Sequence, residues 1–272
     1  MKKITFMAAA LISAMAVGTS MTFASCSEAS KVKATVKAEL DDMGEDDGVI
    51  VTQNRKVGKF TALRIEGSPT VRFVQGDKFE VKVKGKKELV EKIKTELDGT
   101  TLVVSVRSKI SFNFFKNNRK KYMPVVYVTS PDLVGVELAG SGDFISDGPI
   151  DTDRLNVELA GSGDVDFNGN VICDDLNVEL NGSGDVDFKN VETITSSLRL
   201  IGSGDIDVKQ KNVERTKIQL IGSGDIKVAC DNCRDVESSI AGSGDVTLKG
   251  NITGRLDKSK AGSGDYNIEL RK

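Results

Sequence analysis

The fold class this sequence predicts is all-β: a stacked β-solenoid with coils of about 20 residues. Three observations predict it. Gly-Ser-Gly-Asp occurs at Gly140–Asp143, Gly161–Asp164, Gly182–Asp185, Gly202–Asp205, Gly222–Asp225, Gly242–Asp245 and Gly262–Asp265, with successive starts 21, 21, 20, 20, 20 and 20 residues apart. Apolar residues flank each motif with a period of two, as Leu155, Val157 and Leu159 before one and Val165 and Phe167 after it. No 3.6-residue pattern runs through the region, so the flanks read as half-buried strands.

Each coil offers two short strands hinged at Gly-Ser-Gly and a turn such as Asn168-Gly169-Asn170. The glycines allow backbone angles that a side chain forbids. Coils stacked ~4.8 Å apart place equivalent residues in rows. The inward rows read Leu138, Leu159, Leu180, Leu200, Leu220, Ile240 and Phe144, Val165, Val186, Ile206, Ile226, Val246. One coil cannot bury such a row, but a stack of seven can. In the last coil Lys258 and Lys260 stand where earlier coils are apolar, which predicts a polar cap over the open strand edge.

The N-terminus reads as an export signal over residues 1–25: Lys2 and Lys3, an apolar run from Ile4 to Val17, then small residues. Two cleavage readings stand. Thr22-Phe23-Ala24 suits ordinary signal peptidase, whereas Phe23-Ala24-Ser25-Cys26 resembles a lipobox in which Cys26 becomes the lipidated N-terminus. Residues 26–48 carry Glu39, Asp41, Asp42, Glu45, Asp46 and Asp47 and read as a flexible acidic tether. No later stretch is long and apolar enough to span a bilayer as a helix.

Residues 49–272 read as one solenoid domain, with 49–130 as irregular lead-in coils and 131–272 as the motif coils. In the lead-in, Phe60 to Glu66 alternates and ends in a truncated motif, Gly67-Ser68; Val71, Phe73, Phe79, Val81 and Val83 continue as strand. Glu88 to Leu97, with Leu89, Val90, Ile93 and Leu97 on one face, predicts the chain's one helix, stopped at Asp98-Gly99 and covering an end of the solenoid.

The run Phe60…Leu63-x-Ile65, Val71-x-Phe73-x-Gln75-Gly76, Val81-x-Val83, Asp98-Gly99…Leu102 and Ser130-Pro131-Asp132-Leu133, followed by the motif coils, resembles the head GIN domain family of putative auto-transporter adhesins. The resemblance spans nearly all of residues 49–272. It implies a single-stranded right-handed parallel β-helix in an exported protein or lipoprotein of the Bacteroidetes kind. No catalytic or binding residues come with it.

Charge is split along the chain. Residues 49–130 hold 18 Lys/Arg against 7 Asp/Glu, net +11; residues 131–272 hold 15 against 26, net −11. Such a split invites head-to-tail self-association. Lys116, Arg119, Lys120 and Lys121 cluster beside Phe112, Phe114 and Phe115, either as a patch for an anionic partner or as a solvated loop. Export sets nucleic acid aside as a partner.

The motif aspartates Asp143, Asp164, Asp185, Asp205, Asp225, Asp245 and Asp265 should form a ladder, with Asp166, Asp187 and Asp207 in a second row and Glu137, Glu158 and Glu179 in a third. Carboxylates about 5 Å apart repel by roughly 0.8 kcal/mol per neighbouring pair even in bulk water. Two things could offset this: calcium bridging adjacent coils, or hydrogen bonds from the turn's own N–H groups that make each Asp a structural corner.

Histidine is absent, so Ser-His-Asp and Cys-His catalysis is excluded. Carboxylate pairs such as Asp164 and Asp166 recur coil after coil, whereas an active site is a local exception to a repeat. Cys230-Asp231-Asn232-Cys233 has no second CxxC and no βαβ context, which argues against zinc and thioredoxin-like chemistry and leaves a local disulfide or two reduced thiols. Cys173 lies three coils from Cys233, too far for a disulfide. The expected function is non-enzymatic: an exported envelope protein presenting polar ladders to a glycan or a host or envelope protein, on the cell surface or in the periplasm. The alternative is a periplasmic structural lipoprotein, and a carbohydrate-active β-helix enzyme is the remote third reading.

Overall fold

The computed structural model describes residues 49–107 and 124–270. Cys26, the tether and the basic cluster Lys116, Arg119, Lys120 and Lys121 lie outside the described residues.

The chain opens with β1 (Ile50–Arg55), β2 (Ala62–Gly67), β3 (Thr70–Gln75) and β4 (Glu80–Lys86), then one helical turn, α1 (Lys87–Val90). A hairpin of β5 (Ile93–Asp98) and β6 (Thr101–Val106) leads on to β7 (Val125–Ser130). The motif coils follow: β8 (Gly135–Gly140), β9 (Asp143–Ser146), β10 (Ile150–Asp151), β11 (Arg154–Gly161), β12 (Asp164–Gly182) and β13 (Val186–Gly202). The last are β14 (Ile206–Lys211), β15 (Arg215–Gly222), β16 (Ile226–Cys233), β17 (Asp235–Gly242), β18 (Val246–Ile252), β19 (Leu256–Gly262) and β20 (Tyr266–Leu270).

Before each Gly-Ser-Gly corner the parallel ladder runs β6–β2–β8–β11–β12–β13–β15–β17–β19. After the corner it runs β7–β3–β9–β12–β13–β14–β16–β18–β20. The predicted rows form in register: Leu159 pairs with Leu138 and Leu180, and Val165 with Phe144 and Val186. Their side chains merge into one core from Phe60 to Leu248, in which Phe167 and Phe188 of successive coils stack 4.3 Å apart. The last coil is exposed along β19, with Lys258 in register with Ser238 and Lys260 with Ile240.

The predicted helix over Glu88–Leu97 is corrected: it stops at Val90, and Ile93–Asp98 is strand. Ile93, Thr95 and Leu97 alternate as well as they fit a helix, and pairing with β6 decides between the two. Gly99, at φ +60°, opens the two-residue hairpin loop between Asp98 and Thr101. Leu89 and Val90 of α1 are buried, but the sheets are extended beyond the coils by antiparallel strands: β5 on β6, and β4 on β7 with β1 on β4.

The lead-in is also not wound in sequence order. Gly67 of β2 pairs with Gly140, so the truncated motif is the coil directly beneath the first full one. The later strands β6 and β7 lie on the far side of that coil.

Candidate functional site

The corners come first because they fix where every outward side chain points. Each motif serine donates its N–H to the carbonyl of the motif glycine one coil back, as Ser183 to Gly161 at 2.9 Å and Ser203 to Gly182 at 2.9 Å. The motif aspartates form the ladder in the expected row. For Asp164, Asp185, Asp205, Asp225 and Asp245 the N–H that the carboxylate accepts belongs to the Asp one coil on, rather than to its own turn. Asp205 N–H donates to Asp185 Oδ1 at 3.0 Å, Asp225 to Asp205 at 3.1 Å, Asp245 to Asp225 at 3.0 Å and Asp265 to Asp245 at 2.8 Å. In return Ile206 N–H donates to the Asp225 carbonyl at 3.0 Å. These hydrogen bonds tie successive coils together along the ladder. At its two ends Thr70 donates to Asp143 (3.1 Å) and Lys260 to Asp265 (3.1 Å).

The other charged rows have neutralising ends. Glu137, Glu158 and Glu179 stack in register with Arg64 before them and Arg199 after them. Arg64 Nε lies 2.7 Å from Glu137, and Arg199 Nε 3.8 Å from Glu179. These arginine caps were not foreseen, because Arg64 precedes Glu137 by 73 residues and only the stacking order joins them. The row Asp166, Asp187, Asp207 ends in Lys227, whose Nζ reaches Asp205 at 3.2 Å. Partial burial, then the charges of Asp187 and Asp164, holds the Asp166 carboxyl above the usual carboxylate range; Asp187 is raised by burial and by Asp207. A further row alternates in sign: Arg154 lies against Asp175 (3.5 Å) and Arg255 against Asp235 (3.8 Å). Among the described residues no group of three or more acidic or cysteine side chains is arranged to hold a metal ion.

Several concavities break the flat faces among the described residues, and one of them runs across the turns of successive coils. It is an open groove of about 710 Å³ that crosses five coils where the chain turns after the second strand. Its rows are Asn170 and Asn190, then Lys209, Ala229 and Lys249, and beside them Ile172, Glu192, Lys211 and Asp231. Five coils span roughly 19 Å along the stack. Lys249 is engaged by Glu269 at 3.3 Å and Glu192 accepts from Asn212 at 2.8 Å, whereas Lys209 and Lys211 have no ion-pair partner among the described residues. Ile172, 49% exposed, makes an apolar lip. Sequence reasoning missed this groove, since no motif marks it; its trace is a register shift between Phe167 and Asn170 in one coil and between Phe188 and Val191 in the next. The three described cysteines are free thiols and buried, with Cys230 in the groove floor.

A parallel stack with hydrogen-bonded polar corners and charge-balanced ladders defines a parallel β-solenoid. The chain belongs to the family described as "Putative auto-transporter adhesin, head GIN domain", whose model matches residues 59–252 and 190–269. Among solved structures, a putative adhesin from Bacteroides fragilis NCTC 9343 is similar, with 24% identity, TM-score 0.70, and coverage of 82% of this chain and 97% of that one. A putative adhesin from Parabacteroides merdae ATCC 43184 shares 18% identity at TM-score 0.64, covering 83% and 98%. A protein from Parabacteroides distasonis ATCC 8503 described as a putative lipid binding protein shares 26% identity at TM-score 0.60, again covering 83% and 98%. No curated protein matches.

Proposed function

We propose that this protein is a non-enzymatic binding scaffold of the bacterial envelope, exported by residues 1–25 and held at Cys26, whose groove takes an extended anionic glycan. The observation that carries the reading is the groove itself: Lys209 and Lys211 face it without ion-pair partners, among the carboxamides of Asn170 and Asn190. Carboxamides meet sugar hydroxyls as donor and acceptor, and ammonium groups meet carboxylates. Membership of an adhesin-like family supports the same reading. An acyl chain, by contrast, would have to lie along the charged side chains of Glu192, Lys209, Lys211 and Asp231. The absence of histidine and the repetition of every carboxylate row support a role without catalysis.

Stacking of one copy on the next through strand pairing is opposed by Lys258 and Lys260, which would carry charge into any such joint. The alternative, a periplasmic accessory lipoprotein, shares the fold and differs in location.

Two measurements test the reading together. Purified protein on an array of uronic-acid-containing and neutral oligosaccharides should select the acidic ones and lose them in Lys209→Ala/Lys211→Ala. Protease shaving of intact cells should remove the protein while a periplasmic control survives. Binding that ignores the lysine pair sinks the groove assignment, and protection from protease moves the protein to the periplasm.

A further inference from the structure

Among the described residues the Cys230–Cys233 pair is a buried reactive cluster that the charged ladders do not use. Strict alternation would turn one of the two thiols outward. Instead Asn232, at φ +61°, and the register shift between Cys230 and Cys233 put both inside, 4% and 0% exposed. There they converge on one side chain. Gln210 Nε2 lies 3.5 Å from Cys233 Sγ, 3.9 Å from Cys230 Sγ and 2.6 Å from Thr216 Oγ1.

The nest is incompletely satisfied. Gln210 is 2% exposed, and its Oε1 has no partner. Turning the carboxamide over exchanges its two polar atoms, so one of them lacks a partner in either orientation. Ser196, in register with Thr216, carries a second buried oxygen without a partner. Buried polar atoms left like this are costly. The nest also has an approach. In the row Gln210, Cys230, Gly250 the last place has no side chain, and Cys230 therefore lies in the floor of the groove.

We propose that Cys230 and Cys233 are the two ligands of a site for a soft monovalent metal ion, Cu(I) among biological ions, with Gln210 as a positioning residue for the sulfurs. Soft thiolates select Cu(I), which accepts two ligands, while structural zinc requires four and histidine is absent from the chain. On binding, two S–H protons leave to water, two S–Cu bonds form and no electron is transferred. The site then carries one negative charge, offset by the Gln210 N–H. Metal competes with the Cys230 proton, so affinity rises with pH.

The test titrates Cu(I), anaerobically and after reduction, against a colorimetric Cu(I) chelator. The full chain carries Cys26→Ser and Cys173→Ser so that no other thiol competes. One equivalent should be retained, lost in Cys230→Ser and in Cys233→Ser, and weakened about ten- to a hundredfold in Gln210→Leu. X-ray absorption on the loaded protein should show two sulfur neighbours and no others, a readout that does not depend on the variants folding. Failure to retain Cu(I), or retention undiminished without Cys233, overturns the proposal.

Discussion

Replacing Gly184 with Ala should break the stack at a single joint. A Cβ at this position would sit 1.9 Å from the Gly163 carbonyl oxygen and 3.0 Å from its carbon and nitrogen, all backbone atoms of the coil below. No rotamer relieves that contact, so the two coils must part by about 1.5 Å to restore ordinary van der Waals distance. Three hydrogen bonds cross the same joint: Ser183 N–H to Gly161 (2.9 Å), Asp185 N–H to Asp164 Oδ1 (3.3 Å) and Val165 N–H to the Asp185 carbonyl (2.9 Å). At about 1 kcal/mol each, and more where a buried partner is stranded, their loss amounts to about 3 kcal/mol.

Gly135→Ala is the matched control. Its Cβ would meet Ala62 and Asn156 at 3.7 Å, an ordinary contact, and the change should be neutral or stabilise by about 0.4–1 kcal/mol through the unfolded chain. The chain lacks Trp, so urea unfolding followed by circular dichroism is the assay, with hydrogen exchange locating the damage. Exchange should quicken first at residues 161–165 and 182–186. If Gly184→Ala unfolds within about 1 kcal/mol of Gly135→Ala, the close approach of the corners is not what holds the coils in register.

Three further perturbations address the charged rows and the open end. The raised Asp166 carboxyl makes its ionised form a cost at neutral pH, one that fades as pH falls through the folded-state value and is gone below the ordinary 3.8. Asp166→Asn should therefore raise the melting temperature at neutral pH and leave it unchanged in strong acid; a gain at both would point to packing instead. Arg64→Ala removes the bonds to Glu137 and Asp98 and should lower the melting temperature at low ionic strength, the loss shrinking as salt rises. A salt-independent loss would assign Arg64 a packing role. Lys258→Leu/Lys260→Ile restores apolar residues to the terminal coil and should produce concentration-dependent oligomers in sedimentation, whereas a monomer throughout would show that the lysines are not what protects that edge.

The motif coils were legible because equivalent positions carry equivalent residues, and stacking converts that identity directly into neighbours. Leu159 against Leu180 and Asp185 against Asp205 needed no more than the period. The lead-in was less legible because it lacks the period. Ile93 to Leu97 suits two patterns, and pairing with β6 decided between them. That Gly67 lies directly beneath Gly140 is a non-local fact, although the residual Gly-Ser pointed toward it. The groove was hidden for a different reason. It arises from register shifts and from side chains that are missing at Gly250, and a row pattern records what is present rather than what is left open.

The out-of-order lead-in bears on how the chain reaches its folded state. Both edges of the β2–β3 coil are covered by segments that come after it in the chain, by β6 and β7 on one side and by β8 and β9 on the other. While an unfolded chain emerges N-terminus first, one edge stays bare until β6 and β7 have followed and the other until β8 and β9 have, the latter with 73 residues between paired positions. Each later coil needs only the next 20 residues to settle on a finished template. Folding should therefore have one slow, non-local closure near the N-terminus followed by fast addition of coils, and a chain stalled before residue 140 would expose the edges most open to aggregation.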